Sequence, residues 1–135
     1  MDNLNDSSKI GISVSISLFC YDGGEKKILT VVNKKEPFKN ALILPNKIMR
    51  HDQSLEDVCS EILKENIGND KIYVEQLNAF GKVYRHPEGR IIDISFYGLI
   101  NLEKDSVVLN VENNAKFVNM ESNPELAFDH NEMID

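Results

Sequence analysis

Apolar and polar residues alternate from Ile12 to Leu18, where Ile12, Val14, Ile16 and Leu18 interleave with Ser13, Ser15 and Ser17. A period of two marks a β-strand. Tyr21-Asp22-Gly23-Gly24-Glu25 then predicts a hairpin turn, since Asp-Gly and Gly-Gly supply the positive φ it needs. Lys27–Val32 reads as the returning strand, and Ala41–Leu44 as a short strand stopped by Pro45. The period changes over 54–67. Leu55, Val58, Cys59, Ile62 and Leu63 form the stripe of a core-facing helix. Ser54 is its expected N-cap, Asp57 an imperfect capping-box partner, and Gly68 its C-cap. Beyond it, 71–83 is mostly extended, 84–89 is a loop around Pro87, and 90–100 is a second strong strand. Its faces are Ile92, Ile94 and Phe96 on one side and Asp93, Ser95 and Tyr97 on the other. Val107–Val111 and Lys116–Asn119 read as weaker strands, and Asp129 as the N-cap of a last helix.

Composition bounds the function classes. The chain has 135 residues, 41% hydrophobic and 27% charged, which suits one globular domain with its own core. Two cysteines are too few for a disulfide framework or a four-cysteine zinc site. No apolar run approaches the roughly 20 residues of a membrane helix, and the first residues lack the pattern of a signal peptide. A cytoplasmic location, without membrane contact, is the expectation. The net charge of −7 is concentrated late: 103–135 holds 2 basic and 8 acidic side chains, against 13 and 14 before it. No basic stripe is present to offset nucleic-acid phosphates, so DNA binding by these residues alone is not expected.

The order strand, hairpin, strand, Leu-Pro, loop, amphipathic helix, Gly, strand resembles the Nudix family. Its box, G-x5-E-x7-R-E-U-x-E-E-x-G-U, aligns without gaps on the segment from Leu44-Pro45 through Ser54-Leu55-Glu56-Asp57 to Gly68. Phe80-Gly81, Arg85-His86-Pro87-Glu88-Gly89-Arg90 and Ile94-Ser95-Phe96-Tyr97-Gly98-Leu99-Ile100 are similar to a Nudix subgroup fused to DNA-binding winged helices. Those are bacterial regulators of NAD synthesis and sugar use, arabinose regulators included. Leu126-Ala127-Phe128-Asp129-His130 matches that subgroup where its linking helix begins.

The resemblance implies an α+β chain with the Nudix fold, an α/β/α sandwich around a mixed sheet. It implies a flexible arm over 1–9, a Nudix-like domain over 10–128, and over 129–135 the start of a linking helix cut before a winged-helix domain. From the residues alone, 129–135 reads equally as a frayed terminus, because six helical residues are marginal.

An active box needs three carboxylates on one helical face to hold Mg²⁺ beside a diphosphate. The three positions here are Ile62, Glu65 and Asn66. The box arginine is Glu61, the upstream glutamate Gln53 and the first glycine Lys47. One carboxylate and one amide make a poor Mg²⁺ cage, so no catalytic residue, metal or cofactor is expected. Lys47 adds positive charge near the metal position. Asp57, Glu61 and Glu65 form an acidic ridge that reads more readily as a solvated face.

The residues singled out for effector binding are Lys47, Arg50, Glu65, Tyr84, Arg85, Arg90 and Tyr97. Arginine binds phosphate in bidentate fashion and stacks on planar rings, although Arg85 and Arg90 could equally brace their loop through Glu88 or Asp93. The expected function is a non-catalytic effector-sensing domain of a bacterial transcription regulator, taking a sugar or nucleotide such as ADP-ribose or arabinose. The resemblance implies a homodimer that meets DNA only through a domain outside this chain. A diverged Nudix hydrolase with a non-standard metal site, acting on a nucleoside diphosphate derivative, is the alternative; a plain interaction module is the third reading.

Overall fold

A computed structural model describes residues 9–82 and 89–134. Residues 1–8 of the expected N-terminal arm over 1–9, and 83–88, which hold most of the arginine loop, lie outside the described residues. The elements are β1 (Gly11–Asp22), β2 (Glu25–Val32), β3 (Leu42–Ile43), β4 (Asn46–Ile48), α1 (Leu55–Ile67), β5 (Val74–Phe80), β6 (Ile91–Ile100), β7 (Lys116–Asn119) and α2 (His130–Ile134). A 3-10 turn, Met120–Ser122, follows β7.

The strands make one mixed sheet in the order β3-β2-β1-β6-β5, with β4 on β1 and β7 on β2. Its spine is the parallel β1–β6 pair, in register from Gly11 opposite Ile91 to Cys20 opposite Ile100. The Asp22–Glu25 hairpin closes through Gly23 and Gly24 at φ 61° and 83°, the left-handed geometry that its sequence supplies. The far end of β1 pairs instead with β4, Ser13 opposite Ile48 and Ser15 opposite Asn46. Because β1 changes partners along its length, β2 leaves it and carries its last residues to β3. A cleft opens on that side.

Helix α1 covers one face of the sheet. Ser54 accepts from the Asp57 amide and Asp57 from the Ser54 amide, so the capping box closes with aspartate in the usual glutamate place. Val58, Cys59, Ile62, Leu63 and Ile67 are buried against Val14, Ile16, Leu18 and Phe96. Each fully buried aliphatic side chain contributes about 1.5–3 kcal/mol of transfer free energy. The serine face of β1 is also covered: Ser13, Ser15 and Ser17 are buried. Leu126 and Met133, from the C-terminal segment, pack there with Ile28 and Leu44. The alternation thus separates two buried surfaces, one apolar and one small and polar.

The expected strand at Val107–Val111 does not form. The Val108 and Asn110 amides donate to the carbonyls of Ile67 and Asn66 instead, closing the open end of α1. Backbone groups used this way cannot join a ladder. No described helix is long and apolar enough to cross a membrane.

Candidate functional site

The cleft has a volume of about 640 Å³ and draws its walls from distant parts of the chain. The loop after β2 supplies Lys34 and Lys35, β4 supplies Lys47, and α1 supplies Glu65 and Asn66. Asp93 of β6 lies among its lining residues, with Phe128 and His130 from the C-terminal segment.

A charged cluster joins β4 to α1. The Lys47 ammonium is in direct contact with Glu65 Oε1 and lies 3.3 Å from Glu61 Oε2. Arg50 Nη2 donates to Glu61 Oε1 at 3.0 Å, and Gln53 Nε2 donates to the same oxygen. The hydrogen bond to Glu65 is the main cause raising the Lys47 pKa above its ordinary 10.5. The hydrogen bond from Lys47 comes first among the causes lowering Glu61 below 4.5. The lysine contribution is complete below pH 10.5 and fades as pH rises past it. That of Glu61 is complete above pH 4.5 and fades as pH falls. Between those limits both charges are in place. The pairs are partly exposed, so their worth to stability is modest.

Deeper in, Asp93 is buried and accepts hydrogen bonds from the Ser13 and Ser15 hydroxyls, both at 2.6 Å. The Leu44 amide donates to His130 Nδ1 at 3.0 Å. Accepting there requires that Nδ1 carry no proton.

The structure brings Lys47, Glu65 and Arg50 together, Arg50 through Glu61. Tyr84 and Arg85 lie outside the described residues. Arg90 and Tyr97 are not among the residues that line the cleft. Arg90 Nη1 donates to the Lys82 carbonyl at 3.0 Å. Tyr97 is on the face that carries Asp93, but four residues further along β6, about 13 Å at strand spacing. Its hydroxyl donates to Glu75 Oε2 at 2.7 Å, while Tyr73 donates to Glu75 Oε1 at 2.8 Å. These two bonds hold the Glu75 carboxyl below its usual pKa, Tyr97 contributing most.

Sequence reasoning missed Lys34, Asp93, Phe128 and His130 as cleft residues. Asp93 carried a signal as an acid inside a strand otherwise apolar at Ile91, Ile92 and Ile94, whereas Phe128 and His130 stood out only as part of the linking-helix match.

The residues at the box positions do not fit a divalent cation. Ile62 is 1% exposed and packed in the core. Asn66 donates from Nδ2 to the Ile62 carbonyl at 2.9 Å and accepts at Oδ1 from Asn113 at 3.3 Å. Glu65 holds Lys47. Among the described residues, no group of three or more His, Cys, Asp or Glu side chains could hold a metal.

No protein-family model matches the chain. It is 27% identical over 127 residues to the ADPR responsive transcriptional repressor NtrR of Acinetobacter baylyi, covering 91% of this chain and 51% of that protein. It is 28% identical over 113 residues to the ADP-ribose pyrophosphatase of Methanocaldococcus jannaschii, covering 82% of this chain and 64% of that one. The chain therefore spans about half to two-thirds of these relatives. The NUDIX domain of Shewanella oneidensis NrtR, solved with ADP ribose, superposes with TM-score 0.74 at 26% identity, covering 91% of this chain and 82% of that one. The same protein with a 27mer DNA gives TM-score 0.81 at 25% identity, covering 91% and 58%. The chain has the Nudix fold. Within it, α1 is the box helix, and a cleft lies beside this helix although two of three carboxylate positions are not acids.

Proposed function

We propose that this Nudix-like domain binds ADP-ribose in its cleft without hydrolysing it, as the effector-sensing part of a transcription regulator. One observation carries the reading: the cleft is open while Ile62 is committed to the core and Asn66 to the Ile62 carbonyl. A site that has lost its metal carboxylates can still serve as a concave binding pocket. ADP-ribose is favoured over arabinose because the repressor relative is ADPR responsive and the Shewanella domain was solved with ADP ribose.

Phe128 and His130 supply the link to regulation. Both line the cleft and both belong to the segment that covers the second face of the sheet. A ligand touching them shifts that segment only if it binds one arrangement more tightly than another. The likeness to the Methanocaldococcus pyrophosphatase favours hydrolysis as a second reading.

Calorimetry with ADP-ribose and with arabinose, followed by chromatography of the ADP-ribose mixture with Mg²⁺, separates these readings. Saturable ADP-ribose binding, no arabinose binding and intact ligand are expected. Turnover near about 1 per second would return the domain to the hydrolases. Binding of neither ligand would leave an interaction module.

With a net charge of −7, these 135 residues are not expected to hold DNA by themselves. A sequence-specific mobility shift at physiological salt would contradict this. A homodimer is the expected assembly, supported by the likeness to the regulators, and sedimentation velocity reads it directly.

A further inference from the structure

We propose that the Lys47 ammonium is the resident cation of the cleft, held on α1 by Glu61 and Glu65, and that it binds a ligand diphosphate without any metal. The inference rests on the effector reading above and adds how the anion is held. Its basis is the disagreement between this helix and a metal site. Glu65 could have been a metal ligand but is engaged by an ammonium from β4, and Glu61, one turn earlier, shares that ammonium.

Lys47 and Arg50 offset most of the acidic charge here, two cations against Glu61, Glu65 and Asp52, which lies 3.9 Å from Arg50 Nε, so the box helix repels an anion less than a bare acidic face would. An ammonium has three donors, and among the described residues two are directed at carboxylates. One remains for a phosphate oxygen, and Lys47 lines the cleft. Lys34, on the wall formed by the loop after β2, adds a second positive charge. The same arrangement accounts for binding without cleavage. An ammonium neutralises phosphate charge but has no vacant coordination position on which to activate a water.

The test uses ADP-ribose as the calorimetric probe, in EDTA and then in Mg²⁺, with the unaltered chain, Lys47→Met and Lys47→Met/Glu65→Gln. The unaltered chain is expected to bind equally in both buffers. Lys47→Met should weaken binding about 10- to 100-fold, the loss of one charged hydrogen bond. The double variant removes one of the acids that Lys47→Met exposes, and it should stay weak. Its recovery to unaltered affinity would show that the ligand had sensed only those acids and would overturn the proposal. Unchanged binding by Lys47→Met would overturn it too. Binding that requires Mg²⁺ would refute the metal-free cation while leaving the effector reading in place. No binding in either buffer would refute the effector reading itself. The comparison of buffers needs no variant, so it stands whether or not the substitutions fold.

Discussion

Ile62→Glu is expected to unfold the domain rather than to rebuild a metal site. The substitution restores the first carboxylate position of the box, yet Ile62 is 1% exposed and packed within the α1 core. Truncating such a side chain costs about 2–5 kcal/mol. Glutamate adds the burial of an ionised group, which costs several kcal/mol more unless its pKa shifts or the helix moves. A domain of this size has about 5–15 kcal/mol in total. Urea denaturation followed by circular dichroism should therefore find little folded protein even without denaturant. Ile62→Val keeps most of the side chain and should lose only about 0.5–1.5 kcal/mol. A folded Ile62→Glu that binds Mg²⁺ would mean that α1 can present this position to the cleft.

Asp93→Ala should have the next largest effect on stability. Two buried serine hydroxyls, on Ser13 and Ser15, donate to this carboxylate. An orphaned buried donor costs about 1–3 kcal/mol, so the pair together predicts a loss of about 2–6 kcal/mol, moderated at Ser15, whose hydroxyl also lies 3.3 Å from Met133 Sδ. Asp93→Asn keeps one acceptor oxygen and should lose less. The ordering of the two variants in urea midpoints is the check. Equal stability of Asp93→Ala and the unaltered chain would show that the buried polar seam is not cohesive.

The elements legible in the sequence are those fixed by local signals. β1 and β6 announce themselves by alternation, the hairpin by Gly23-Gly24, and α1 by its stripe between Ser54 and Gly68. The box positions were equally readable, because helical spacing is rigid and tells which residue stands where. What escaped depends on partners distant in sequence. Val107–Val111 has strand-forming residues, but its amides meet the open end of α1 first. β4 follows a proline with only three residues and exists because β1 offers it an edge. Lys47 and Arg50 were legible as candidates since they flank the helix. Lys34, Asp93 and His130 stand far apart in the sequence and reach the same cleft only through the sheet. Tyr97 was drawn into the candidate set by the chemistry of its side chain. Strand spacing carries it away, to Glu75.

Phosphorus-31 NMR of ADP-ribose mixed with this chain and Mg²⁺ tests the central claim most directly, because one spectrum reads both binding and cleavage. The diphosphate resonances should shift or broaden as the chain is added, while their total intensity stays constant over hours. The growth of two phosphomonoester signals, from AMP and ribose 5-phosphate, at the expense of the diphosphate would contradict it.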